Sequence, residues 1–252
     1  MNCTRHALTF LCLALPPLTQ YTTAAQIMAE APPEFSLTLN YGQSVALSYG
    51  MNGTSQEVFR DAAENDVVMR YPFGDPGTRP FSIGLRAAYR FAEAPWSLTV
   101  GLHRTSFLTE DTLQNRAMMG IWSFVAGAEW TAGRSIRTWN FFTRAGVVGS
   151  LIDGDVITQG IFTTEVASSF RLGYEGEMGL RFNLKNSPVS IEASIRYTNV
   201  NVLGREFVRP DARANQFLWE AALNDAPDPG NPGDPGRRID YLTAQGGVRV
   251  RL

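Results

Sequence analysis

Twelve charged residues recur at mostly even spacings within runs of small and polar residues: Arg86, Arg90, Glu129, Arg144, Arg171, Glu175, Glu177, Arg181, Glu192, Arg196, Arg249 and Arg251. Arginine stays ionised and its planar fork meets a carboxylate with two bonds, so arginine with glutamate is the set expected where charges must be buried in pairs. Lys185 is the only lysine in the chain. Brought into one enclosed space, these residues would form either a polar brace or a narrow path preferring anions. A barrel of eight strands rarely leaves an aqueous channel, which favours the brace, with Arg90, Arg181, Arg249 and Arg251 at a solvated mouth. His103 and Ser106 supply a base and a hydroxyl, the types needed for nucleophilic catalysis. In a strand, however, an odd spacing puts them on opposite faces. Asp228 and Asp234 offer oxygen ligands for Ca²⁺, but their spacing matches no ligand loop. No glycine-rich phosphate loop precedes a helix and no basic patch suggests nucleic acid, so neither a cofactor nor a metal is expected.

The elements that must carry these residues show a period of two. Phe170, Leu172, Tyr174, Gly176, Met178, Leu180 and Phe182 alternate with Arg171, Gly173, Glu175, Glu177, Gly179 and Arg181 after a single-step phase is kept throughout. One face carries no charge and the other carries four, which a helix of period 3.6 cannot arrange. The same alternation runs through 35–49, 81–91, 96–103, 122–130, 139–148, 189–198 and 242–252. This predicts eight strands.

Connections at 92–95, 131–137 and 185–188 are short, whereas those at 50–80, 106–118, 151–168 and 199–240 are long. Strict alternation of loop length sorts the connections by end, the pattern of an up-and-down barrel with short turns on one side of a membrane and long loops on the other. The first long connection, with Ser55 as N-cap, predicts a short helix from residue 55. A second is expected in 215–224, where Phe217, Leu218 and Trp219 are the candidate loop contact to a surface partner. The Pro/Gly run at 227–236 would stop that helix.

Aromatic residues give a further sign. Phe35, Phe91, Trp96, Trp130, Trp139 and Phe182 lie on the apolar face beside the chain start and the short turns, forming a girdle at one level. Tyr49, Phe81, Phe170 and Tyr197 form a sparser ring at the other. An eight-stranded barrel has too narrow an interior for so many rings, so the apolar face must turn outward to lipid.

The N-terminus reads as an export signal: Arg5 and His6, an apolar stretch at 7–15, and the small residues Thr23, Ala24 and Ala25 before the expected cut. Residues 1–25 are thus a signal peptide, 26–34 a short periplasmic segment and 35–252 the barrel. Cys3 and Cys12 fall within the signal, leaving the mature chain without disulfides.

On strand count, alternation and loop order, residues 35–252 resemble the small eight-stranded outer-membrane barrels, the OmpA transmembrane domain and OmpX among them. The chain departs from their pattern at its end, where Leu252 replaces the usual terminal aromatic. The expectation is therefore an all-β, eight-stranded, antiparallel, up-and-down transmembrane barrel in the bacterial outer membrane, both termini periplasmic. Its partners would be outer-membrane lipid, lipopolysaccharide, the barrel-assembly machinery and a surface partner at the loops. Its expected role is non-enzymatic, structural or in surface interaction, with a small anion-preferring pore second and a lipid-modifying enzyme third.

Overall fold

The computed structural model describes residues 33–47, 53–60, 66–73, 80–92, 94–110, 116–132, 138–158, 162–206, 220–221, 225–227, 229–230, 236 and 238–252. The signal segment 1–25 and the contact residues Phe217, Leu218 and Trp219 lie outside these.

Eight strands close into one barrel: β1 (Glu34–Ala46), β4 (Phe81–Arg90), β5 (Trp96–Glu110), β6 (Arg116–Ala132), β7 (Trp139–Thr158), β8 (Phe162–Asn183), β9 (Val189–Leu203) and β11 (Asp240–Arg251). Each is antiparallel to its neighbours in the barrel, and the seam joins the first to the last, from Ser36 opposite Arg251 to Ala46 opposite Tyr241. A closed sheet has no free edge around its waist, so every ladder N–H and C=O there can find a partner.

The alternation in sequence becomes an alternation of side. On β1, Ser36, Thr38, Asn40 and Ser44 are buried while Phe35, Leu39, Tyr41 and Val45 are exposed. The same holds on the other walls, where Leu85, Val100, Phe124, Val147, Met178 and Ile195 point outward and are each at least half exposed. This molecule is polar inside and apolar outside.

The structure corrects three expectations about the connections. Where a helix was expected from Ser55, β2 (Gly53–Arg60) and β3 (Asp66–Phe73) pair as an antiparallel hairpin, with Arg60 opposite Asp66. The run is rich in Val, Phe, Tyr and Thr, which favour extended chain, and that outweighs a lone capping signal. The long connections at 106–118 and 151–168 are mostly strand. β5 and β6 run on to Glu110 and Arg116, and β7 and β8 to Thr158 and Phe162. Where these strands pass Phe107, Met119, Ile121 and Ile152 the interior is apolar as well as the exterior, so no polar–apolar alternation is left for the sequence to record. Of the second expected helix, 215–224, only Glu220–Ala221 lies within the described residues, and it forms a short strand instead, β10, parallel to Glu165 and Val166 of β8.

Two irregularities shape this end. The β7–β8 register shifts between Ile152 and Gly154, and β9 bulges against β8, so that Leu172 faces Leu203 and Tyr174 faces Asn199. Past the bulge, β9 leaves β8. Gly173 sits under it, and a Cβ there would run into the carbonyl oxygen of Asn199. Gly173→Ala is expected to destabilise the folded barrel by about 1–3 kcal/mol, as overpacking does. Urea unfolding of the refolded protein, followed by gel mobility of unheated samples, measures this.

Candidate functional site

The interior is layered along the barrel axis. Nearest the short turns lies an ion-pair lattice whose members already face each other in the strand register: Glu129 opposite Arg144, Arg144 opposite Glu177, Arg181 opposite Glu192, and Glu177 opposite Arg196. Opposite charges at directly paired positions attract across the ladder. Arg144 is the hub. Its Nε donates to Glu129 at 2.6 Å, Nη1 to Glu177 at 2.8 Å and Nη2 to Glu192 at 2.9 Å. Its guanidinium also lies over the Phe142 ring, 4.1 Å from the centroid, with Arg181 at 5.1 Å from the same ring. Room for that ring comes from Gly179, where a Cβ would meet its Cζ at 2.6 Å.

Other members brace the lattice across the lumen. Arg181 binds Glu192 and Glu129, each at 2.7 Å, and Arg249 reaches Glu129 at 3.0 Å from the far wall. Arg86 of β4 meets Glu177 at 2.8 Å and Glu175 at 3.5 Å. Ser194 and Gln245 also donate to Glu177. The bonds donated by Arg181, Arg249, Ser194 and Gln245 are charge-assisted, the stronger kind.

A middle layer follows. His103 Nε2 lies 3.3 Å from Glu175 Oε2, and Arg196 Nη2 donates to Ser82 at 2.9 Å. Hydroxyl pairs fill the remaining width: Ser82 with Thr105, Ser44 with Thr243 and Ser123 with Ser150.

The far end is capped by an apolar cluster of Ala46, Phe107, Met119, Ile121, Ile152, Val200, Ile239 and Tyr241. Phe107 and Tyr241 meet edge-on at 5.4 Å. Beside it, Arg171 holds Asp225 of the last connection with two parallel bonds of 2.9 Å, from Nε and Nη2. Asn201 Nδ2 and the Glu206 amide also donate to Asp225. Asn201 Oδ1 in turn accepts the Ile239 amide.

Of the twelve expected lumen residues, ten are enclosed: Arg86, Arg144, Arg171, Arg181, Arg196, Arg249, Glu129, Glu175, Glu177 and Glu192. Arg90 and Arg251 lie at the mouth, where Arg90 donates to Glu34 at 2.9 Å and Arg251 to the Ser187 carbonyl. Arg181 and Arg249 were expected at the solvated mouth as well. They are instead buried, at 8% and 4% exposure of their side chains, because Glu129 and Glu192 lie within reach. The expected surplus of arginine is also smaller than the phase count implies. Glu34 continues the inward phase of β1 by one residue and serves Arg90 and Arg249. Asp225 serves Arg171 from a connection that gives no signal in sequence.

At the girdle, Trp96 pairs with Trp130 in register, and the Trp139 and Phe182 rings stack at 4.7 Å. Phe91 packs on Tyr89 at 5.1 Å, and Phe35 lies exposed beside Tyr89 in the ladder.

Chemically the interior is a plug. Glu129, Arg171, Phe142, Ser123, Ser150, Thr105, Thr243 and Tyr241 are fully buried. His103 and Ser106 are on opposite faces of β5 and form no catalytic pair.

The fold resembles several solved structures. Neisserial surface protein A is 13% identical with a TM-score of 0.49, covering 86% of this chain and 97% of its own. The attachment invasion locus protein Ail of Yersinia pestis is 14% identical with a TM-score of 0.44, covering 87% and 99%. The N-terminal barrel of Pseudomonas aeruginosa OprF is 10% identical with a TM-score of 0.33, covering 86% and 97%. No protein-family model and no curated protein matches the sequence. At these identities and scores the likeness says nothing about activity.

Arg144→Met would leave Glu129, Glu177 and Glu192 short of a partner in an enclosed space. Breaking a buried pair from one side costs about 3–5 kcal/mol. The urea midpoint of the refolded barrel should fall accordingly. Burial alone would raise the Asp225 pKa, but the bonds from Arg171, Asn201 and the Glu206 amide outweigh it and lower it below its ordinary 3.8. A lowered carboxyl pKa contributes stability in full above the ordinary value and loses it as pH falls through the lowered one. The protection of the Ile239 amide against hydrogen exchange, relative to an unstructured peptide at the same pH, should therefore fall below roughly pH 4, and Asp225→Asn should remove that pH dependence.

Proposed function

We propose that this chain is a sealed outer-membrane barrel, non-enzymatic, which spans the bilayer with its eight strands and serves as a structural element and a surface for interaction. One observation carries the reading: a belt of exposed large apolar side chains, bounded by aromatic rings, surrounds a barrel whose polar interior is closed. In water such a belt would drive aggregation, while in lipid it is the required exterior. Closure is the second requirement, because hydrocarbon offers no partner to an unpaired backbone group.

Both termini and the short turns would face the periplasm. The surface side would then carry the β2–β3 hairpin, the projecting ends of β5 to β8 and the last connection, held down at Asp225. These are the parts available to a partner outside the cell. Around the belt the partners are acyl chains and lipopolysaccharide, reached through the barrel-assembly machinery.

Sealing argues against the anion-preferring pore. Most of the arginines that such a pore would use for its ions, among them Arg86, Arg144, Arg181 and Arg249, are engaged with glutamates, and an apolar cluster fills the far end. A lipid-modifying enzyme would need a nucleophile and a base together on the lipid side, and His103 points inward.

Reconstitution in planar bilayers is expected to give no stable conductance steps, with vesicle flotation confirming insertion. Discrete steps from wild-type protein would overturn the sealed reading. Protein that fails to float with vesicles would overturn the membrane reading.

A further inference from the structure

Among the described residues, the carboxylates that pair with Arg86, Arg144, Arg181 and Arg249 all stand on strands of the barrel wall. Arg171 is placed differently. It is a wall residue of β8 and fully buried, yet both of its carboxylates, Asp225 and Glu206, belong to the last connection. Asp225 is itself fully buried and takes two bonds of 2.9 Å from Arg171. Glu206 lies 3.4 Å away, with 57% of its side chain exposed. A buried cation of the wall is thus neutralised chiefly by chain that is not wall.

Distant points of the connection meet at this pair. Asn201, buried at the end of β9, donates to Asp225 from Nδ2 and accepts the Ile239 amide at Oδ1. The Glu206 amide donates to Asp225, and the Glu206 carbonyl accepts the Ala226 amide. Gly236, at φ 68°, passes so close that a Cβ there would lie 2.9 Å from the Asp225 carbonyl oxygen. Ile239 belongs to the apolar cap, and its carbonyl accepts the Val200 amide. A chain of bonds therefore runs from Arg171 through Asp225 and Asn201 into the cap. Of the other charges around it, Arg205 donates to the Asn201 carbonyl, and Asp240 accepts from Tyr197. Arg238 adjoins Ile239, while Ser150, opposite Arg171 on β7, and Tyr241 of β11 are neutral.

With Asp225 uncharged, Arg171 would keep only the Phe170 carbonyl and the exposed Glu206. A buried ion that loses its partner is strongly destabilising unless water reaches it. We propose that residues 225–239 form a strap with one ionic clasp, which acid opens: Asp225 gains a proton, the strap lifts to hydrate Arg171, and Ile239 leaves the cap. Upstream, β10 stays paired to β8, so the lifting ends at Asp225. The donors around Asp225 hold its carboxyl below the ordinary value. The clasp is therefore complete at neutral pH and is lost as pH falls through that lowered value. The last connection thus has two forms at the mouth, fastened at neutral pH and lifted in acid.

Distances between spin labels on the refolded barrel read the strap directly. The labels go on Pro229→Cys in the strap and Val202→Cys on β9, both exposed positions, with Cys3 and Cys12 changed to serine. In the otherwise wild-type chain the distance should lengthen and broaden below roughly pH 4. Protection of the Ile239 and Val200 amides should fall together, at least about tenfold, the worth of a bond to a charged group. Ladder amides of β6 and β7 should keep theirs. Asp225→Asn should lift the strap at neutral pH, because Arg171 is left buried without its charge partner. Arg171→Met combined with Asp225→Asn removes both charges and should leave the strap fastened at every pH. A double variant as open as the single one would overturn the clasp, and so would an unchanged wild-type distance in acid. Loss of ladder protection over the same pH range would assign the change to unfolding of the whole barrel and overturn it as well. Mobility of unheated samples on gels checks that each variant folds; should Asp225→Asn fail to, the wild-type pH series decides alone. Vesicle flotation, which tests the membrane span, is expected to be the same for all of them.

Discussion

Three carboxylates converge on the single guanidinium of Arg144, and the rest of the lumen is arranged around that meeting. Any ion taken out of bulk water must be matched by partners of opposite charge and by hydrogen bonds. Three carboxylates exceed what one arginine can neutralise, and Glu129 is accordingly shared with Arg181 and Arg249. Glu192 and Glu177 are shared in the same way. The lattice is therefore a unit in which each member is held by at least one other. Its members come from β1, β4, β6, β7, β8, β9 and β11, and His103 brings in β5 through Glu175. The ion pairs thus fix the circumference as firmly as the ladder does.

Sharing also explains the separation between the two halves of the interior. Where the lattice ends, hydroxyl pairs take over, and beyond them the filling becomes apolar. Tyr241, Phe107 and Ile152 exclude water from the outer mouth without needing charge. The tie between Arg171 and Asp225 stands at the border between this cap and the solvent. A neutral plug at one end and an ionic one at the other close the lumen by different means, so one defect need not open both.

How much of this was legible in the sequence depends on where each residue meets its surroundings. Alternation reported the barrel wall because each residue there faces either an apolar exterior or a polar interior, and a slip of one would exchange the two faces. Glu129, Arg144 and Glu177 were found by phase alone. Phase gave the side of the wall but not the reach of a side chain, so Arg181 and Arg249 were misjudged as solvated. Glu34 stood one step outside the range considered. Asp225 could not be found, since its role is set by a fold-back of the chain rather than by any periodicity. The extended ends of β5 to β7 escape the pattern because the interior turns apolar at Phe107, Met119, Ile121 and Ile152, so both faces of the strand carry apolar residues; the β2–β3 hairpin was hidden behind a lone capping signal at Ser55.

The seam between β1 and β11 joins residues near opposite ends of the chain. Arg249 and Glu129 are 120 positions apart, and Arg196 and Ser82 are 114 apart. Contacts of such separation are slow to form, because the loop entropy is spent before they return any stabilisation. Synthesis therefore cannot yield a partly closed intermediate with its ladder complete: until the last strand is made, β1 and β9 each present an open edge. The order of the strands makes closure the final event of barrel assembly, and a barrel that waits on β11 must be kept from pairing elsewhere until that strand arrives.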